Sequence, residues 1–166
     1  RLIRRRLRVR FAVGRTRPGR RFVLRGVTFA DEGETMPPVE YVVVDRRGVW
    51  LVDTVRYKGR LDGSDERETW LQLLPRTRRP LSVTNPAFAR RDRLSVVKKK
   101  LRRSGLAAVP VRLLVVFVEG NVRRVESEQA VPARALARAL RRAPADALSE
   151  RQIDRVCECL LSAAGD

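Results

Sequence analysis

Histidine is absent from this 166-residue chain, and cysteine is nearly so. Without an imidazole there is no histidine general base and no histidine metal ligand. Acid–base or metal chemistry therefore has to rest on carboxylates, lysines and arginines. The only cysteines, Cys157 and Cys159, lie two apart in a segment with helical patterning. At that spacing the side chains leave a helix on different sides, which disfavours a disulfide between them and points to core packing. Nothing indicates an oxidising compartment, and a cytoplasmic location is expected. No apolar run approaches the ~20 residues of a membrane-spanning helix, and no signal-peptide pattern is visible, so no membrane partner is expected. The chain opens on Arg1 rather than Met, which reads as a fragment of a longer protein.

Acid is scarce relative to base. Lys and Arg number 37 against 19 Asp and Glu, a formal charge of +18 at pH 7. An excess of this size repels itself in a compact chain, and a polyanionic partner relieves it. Most of the base is arginine, whose planar fork suits bidentate phosphate contacts. With 43% hydrophobic residues the chain can still bury a core, and its length fits one domain over residues 1–166.

The order of elements is readable from periodicity and turn residues. Residues 1–14 read as a basic helix passing into extended chain, and Pro18-Gly19 marks a turn. Strands are expected over 21–30, 39–45, 48–57 and 70–73. A loop is expected over 31–38, a hairpin turn at 45–48, and a short turn framed by Gly59 and Gly63. A polar loop or hairpin follows over 75–84. Asn85-Pro86 places an N-cap and a first-turn proline before a helix to about Ser104, stopped by Gly105. VRLLVVFV over 111–118 reads as a central strand, followed by a turn at Gly120-Asn121 and a short edge strand over 122–125. Helices are expected over 132–142 and 149–163, the last capped by Ser149. Strands, one helix, a strand and two helices make an α/β or α+β domain, a sheet covered by helices. Trp50 and Trp70 read as core residues.

Two acids interrupt the most apolar strands. Glu40 opens Val39-Glu40-Tyr41-Val42-Val43-Val44, and Asp53 sits inside Val49-Trp50-Leu51-Val52-Asp53-Thr54-Val55. A carboxylate in such a run needs a cation, a metal or hydrogen bonds. Paired as a hairpin, the strands bring both acids to one end of the sheet. Two carboxylates and the carbonyl after the second can hold a hard divalent cation. Parity puts Val55 on the face of Asp53, where a lysine would stabilise charge on an attacked phosphate.

This arrangement resembles the PD-(D/E)xK nuclease superfamily, and more closely its nuclease-related domain (NERD) family. The matching residues are Val39 to Val44, then Gly48-Val49-Trp50-Leu51-Val52, Asp53-Thr54 and Tyr57-Lys58-Gly59, with Trp70, Asn85-Pro86 and Val115-Val116-Phe117 in the family's order. The resemblance implies a restriction-endonuclease-like mixed central β-sheet flanked by helices. It also implies a degenerate catalytic and metal site at Glu40 and Asp53. The family's Asp is Glu40, its Glu is Asp53 and its lysine is Val55. The glutamine that follows Asn-Pro in the family is missing, because residues 87–90 are Ala-Phe-Ala-Arg.

The leading expectation is a nuclease-fold domain, weak or inactive in cleavage, that binds nucleic acid, with DNA favoured. Arg90, Arg91, Arg93, Lys98, Lys99, Lys100, Arg102 and Arg103 form the expected phosphate-binding stripe. Mg²⁺ or Mn²⁺ is expected to bind weakly if at all, and Val55→Lys to raise any residual Mn²⁺-dependent nicking. The alternatives are an active metal-dependent endonuclease whose lysine role has migrated to Lys58, Gln72 or Lys98, and an assembly module for an acidic protein partner.

Overall fold

The computed structural model describes residues 21–31 and 33–162. The expected basic helix and turn of residues 1–20 lie outside them. Seven of the strands form one mixed sheet. β1 (Phe22–Val27), β4 (Val39–Asp45) and the first part of β5 (Gly48–Ser64) run antiparallel in sequence order. β6 (Thr69–Leu73) and β7 (Leu81–Thr84) continue from the far part of β5. β8 (Val111–Glu126) lies parallel to β5 over nearly its whole length, and β9 (Ala130–Pro132) pairs parallel with β8. A separate two-residue hairpin, β2 (Ala30–Asp31) and β3 (Glu34–Thr35), occupies part of the expected 31–38 loop.

The sheet is covered on both faces. Alternation along β5 sends Val49, Leu51 and Val55 to one side and Trp50 and Val52 to the other. The first set joins Val97 and Leu101 of α1 (Arg91–Arg103) and Ile153, Val156 and Leu160 of α3 (Glu150–Leu161). The second set joins Leu136, Ala139 and Leu140 of α2 (Leu136–Leu140). Trp50 and Trp70 are both buried, as are the free thiols of Cys157 and Cys159. Burial and the nearby Asp154 and Glu158 carboxylates push the Cys157 thiol up to about 11.

The β4–β5 hairpin turns through Arg46 and Arg47, closed by the Asp45–Gly48 pair. Asp45, not singled out by sequence, is buried and makes this turn. One oxygen accepts from the Arg47 amide at 2.8 Å and the other from Arg21 at 2.5 Å. The α3 start is a capping box, Ser149 and Gln152 each accepting from the other's backbone amide. Among the described residues no helix is long and apolar enough to cross a membrane.

Two expected turns are absent. β5 runs through Gly59 and Gly63 to Ser64, and β8 runs through Gly120 and Asn121 to Glu126. Gly59 and Gly120 serve as strand irregularities instead, within the stretch of shifts in the β5–β8 register between Val55 and Asp62, whereas Gly63 pairs in register with Val125 and leaves room for the Trp70 ring. Gly59 (φ +75°) and Gly120 (φ +85°) adopt left-handed backbone. A β-carbon on Gly120 would stand 2.2 Å from the Tyr57 carbonyl oxygen, and one on Gly59 equally close to that of Leu73. The expected 132–142 helix is shorter, a 3₁₀ turn at Ala133–Ala135 leading into α2. Gly120→Ala combines left-handed strain with a backbone clash and is expected to cost about 2 kcal/mol or more. Denaturant unfolding of the variant measures this, and an unchanged midpoint would contradict it.

An acid pair clamped by arginines

The site forms where the β4–β5 ladder opens. The last paired residues are Tyr41 and Val52, and β6 does not join β5 until Arg60. Between these points the edge of β5 lacks a partner strand among the described residues, and its backbone groups need other partners. The two acids supply them. The Glu40 amide donates to Asp53 Oδ1 at 2.8 Å. In return Glu40 Oε2 accepts from the Thr54 amide at 3.0 Å and the Thr54 hydroxyl at 2.5 Å. The two acids expected to meet from the sequence are thus brought together.

The second carboxylate oxygen of Asp53 is occupied from the helix side. Arg90 Nε donates to Oδ2 at 2.9 Å, and Arg93 Nη1 donates to the same atom. The Asp53 residue is only 5% exposed, and the side chains of Arg90 and Arg93 are 23% and 12% exposed. The fully buried Asn85 sets this geometry. Its Nδ2 donates to the carbonyls of Arg67 (2.8 Å) and Ser64 (3.3 Å), and its Oδ1 accepts from the amides of Ala87 (2.9 Å) and Phe88 (3.3 Å). The chain then makes one 3₁₀ turn, Phe88–Arg90, before α1 begins. Arg90 is tied back by Nη1 to the Pro86 carbonyl at 2.8 Å, which aims its Nε at Asp53.

Val55 is 9% exposed and belongs to the apolar cluster under α1 and α3. The residues considered as a relocated lysine stand elsewhere. Lys58 is exposed, Gln72 Nε2 donates to the Lys58 carbonyl at 2.9 Å, and Lys98 lines a cavity beside Arg112. The basic stripe divides. Arg90 and Arg93 face Asp53, while Arg91 donates to the Asp65 carbonyl and lies over the Phe88 ring. Lys100 donates to the Ser162 carbonyl and Lys99 is half-buried. Lys98, Arg102 and Arg103 are exposed on α1.

These residues do not fit a divalent cation as arranged. Both Asp53 oxygens already accept hydrogen bonds, two of them from guanidinium groups that would repel a metal. Among the described residues no three acidic, histidine or cysteine side chains gather where they could hold one.

A mixed seven-stranded sheet flanked by helices, with an acid pair at the opening of its central hairpin, is the plan of a nuclease-like fold. The sequence matches the nuclease-related domain family over residues 3–118, and the chain belongs to that family. Members of the family generally use divalent metals. Comparisons with curated proteins and with solved structures found no match.

Asp53→Asn keeps the shape but leaves Arg90 and Arg93 facing a neutral amide. The expected loss is about 2–3 kcal/mol, less than the ~3–5 kcal/mol of a fully buried pair because Arg90 retains some solvent contact. Replacing all three by apolar residues (Asp53→Leu, Arg90→Met, Arg93→Met) is expected to recover most of it. Equilibrium unfolding of the single and triple variants decides; an Asp53→Asn variant as stable as the parent would show that the clamp contributes nothing.

Proposed function

We propose that this domain binds nucleic acid, DNA in the first instance, through a nuclease-related fold whose acid pair serves structure rather than cleavage. The observation that carries this reading is the Asp53 carboxylate held by Arg90 and Arg93 beside an apolar Val55. In a working site of this design the carboxylate would face a cation and a lysine would stand next to it. Here protein cations already neutralise it, so the electrostatic work of the site is internal.

Binding is supported separately, by charge. The chain carries +18, and two guanidinium groups on Asp53 consume little of that. Lys98, Arg102 and Arg103 turn outward on α1 and can track a phosphate backbone. Contacts of this type position a duplex without reading its sequence.

Anisotropy titration of duplex DNA over a range of salt is expected to show log affinity falling linearly with log salt, by about 0.9 per phosphate neutralised. Arg102→Glu with Arg103→Glu should reduce that slope by roughly one per lost contact. Affinity independent of salt would overturn the DNA reading. In a plasmid assay with Mg²⁺ or Mn²⁺ no cleavage is expected, and Val55→Lys alone should restore none. This revises the expectation drawn from sequence, because the added ammonium would join two arginines already on Asp53. Metal-dependent cleavage by the parent chain that disappears in a folded Glu40→Gln variant would overturn the structural role of the acid pair.

A further inference from the structure

Away from the acid pair, a cavity wraps around the start of β8. β9 pairs with β8 only from Val115 onward, so over residues 111–114 the outer edge of β8 has no partner strand among the described residues. The cavity reaches from Leu94 and Lys98 of α1 to Ala139 of α2 and Arg142 just beyond it. These two helices cover opposite faces of the sheet. The cavity therefore joins the two faces around the edge of β8.

Both flanking segments are free of acid. From Arg93 to Val118, and again from Gln129 to Ala145, the chain holds no Asp or Glu. Lys98 and Arg102 stand one turn apart on α1, both exposed, and line an adjoining hollow beside the start of β8. Arg138 on α2 and Arg142 one turn further on are exposed as well. Between these two rows lies Arg112, which lines both hollows. Its guanidinium stands 5.2 Å from the centre of the Trp50 ring and donates to the Arg47 carbonyl at 3.0 Å, so it is held in place before any partner arrives. One carboxylate opposes these cations, the exposed Glu128 on the segment leading into β9. Lys98, Arg102, Arg112 and Arg142 line the two hollows against that single acid. The edge stays strongly positive, and an extended anion relieves the repulsion.

From this juxtaposition we propose that the edge of β8 is a cradle for double-stranded DNA, one phosphate backbone on Lys98 and Arg102, the other on Arg138 and Arg142, and Arg112 between them. This assignment rests on the nucleic-acid reading above and adds the strandedness and a second row of contacts, on the sheet face away from α1. A single strand has one backbone and would use one row. Two rows parted by the sheet match the two backbones of a duplex. Surfaces built for single strands also offer aromatic rings on which bases stack. Here the Trp50 ring is 4% exposed and lies beneath Arg112, and the Phe88 ring lies beneath Arg91. Phosphate contacts are what this edge offers. Glu128 marks its boundary, since a backbone passing that carboxylate is repelled.

Anisotropy titrations of the intact chain with a short DNA duplex, and with each of its strands alone, test this. The duplex is expected to bind about tenfold or more tightly than either strand. Arg138→Ser with Arg142→Ser should weaken duplex binding about tenfold and lower the slope of log affinity against log salt by roughly two, although neither residue lies on α1. Glu128→Gln should tighten binding roughly threefold by removing the opposing charge. Arg78→Ser with Arg79→Ser is the control. It removes the same charge from the exposed loop between β6 and β7, at the opposite edge of the sheet. At about 0.15 M salt, where screening confines charge effects to roughly 8 Å, it should leave affinity within about twofold. Circular dichroism and thermal melts establish that each variant is folded. Strands bound as tightly as the duplex, full duplex affinity in the folded Arg138→Ser, Arg142→Ser variant, an equal loss in the control, or no tightening in Glu128→Gln would overturn the cradle and leave DNA binding by α1 standing. Displacement of the duplex by polyglutamate at equal charge would instead assign the edge to an acidic protein. A parent chain that binds neither form of DNA would overturn both readings.

Discussion

The carboxylate of Asp53 is the joint on which this domain's two halves meet. One oxygen holds the backbone of β4 at the point where that strand leaves β5, and the other holds the helical segment through Arg90 and Arg93. A charge this buried needs compensation from every side. It obtains it from one amide and two guanidinium groups. Glu40 mirrors the arrangement on a smaller scale by closing the Thr54 amide and hydroxyl. The opening in the sheet is therefore sealed by side chains rather than by a strand. The start of the helix is fixed against it by Asn85, whose four hydrogen bonds tie the end of β5, the β5–β6 turn and the first helical turn together.

The long parallel contact of β5 with β8 supplies the rest of the frame. It lets β4 and β6 share one edge of β5 at different heights, which creates the opening for the acid pair. It also lets β9 cover only part of β8, which creates the cavity beside Trp50. Both features come from strands of unequal length in one sheet. A left-handed glycine at 120 lets β8 approach β5 closely in their irregular stretch, and one at 59 lets β5 approach β6 at Leu73.

Much of this was legible in the residues. The β4 and β5 hairpin, its acids, the Ser149 cap and the central strand at Val111 follow from alternation, turn chemistry and capping; the helix expected to start at Asn85-Pro86 begins instead at Arg91, after a turn and one 3₁₀ turn that Asn85 anchors. The misread turns at Gly59-Gly63 and Gly120-Asn121 have a shared cause. Gly59 and Gly120 take positive φ, which a turn and a strand bulge both use, and Gly63 is required by the Trp70 ring packed on it; only the partner strands distinguish these from turns. The role of Arg90 and Arg93 was hidden for a different reason. In a run of bases on one helix, sequence does not say which guanidinium points inward. A local hint existed in Arg90 occupying the stretch where the family carries a glutamine near the site. The cavity had no sequence signal, because Trp50, Arg112, Gln129 and Arg142 come from four separate segments.

The identity of residue 55 follows from the charge balance at the acid pair. Glu40 and Asp53 contribute two negative charges, and Arg90 and Arg93 contribute two positive ones at Asp53. A lysine at 55 would place a third cation on the same face, in the apolar cluster that Val55 now fills. With the arginines in place it would be desolvated and repelled, and a β-branched apolar residue is the stable choice there. Valine at 55 and the arginine clamp on Asp53 therefore fit one another. The arginines compensate the charge of Asp53, and valine at 55 leaves them no competing cation. Changing residue 55 to lysine, or removing the two arginines, would each alone leave an uncompensated charge in a place that water reaches poorly.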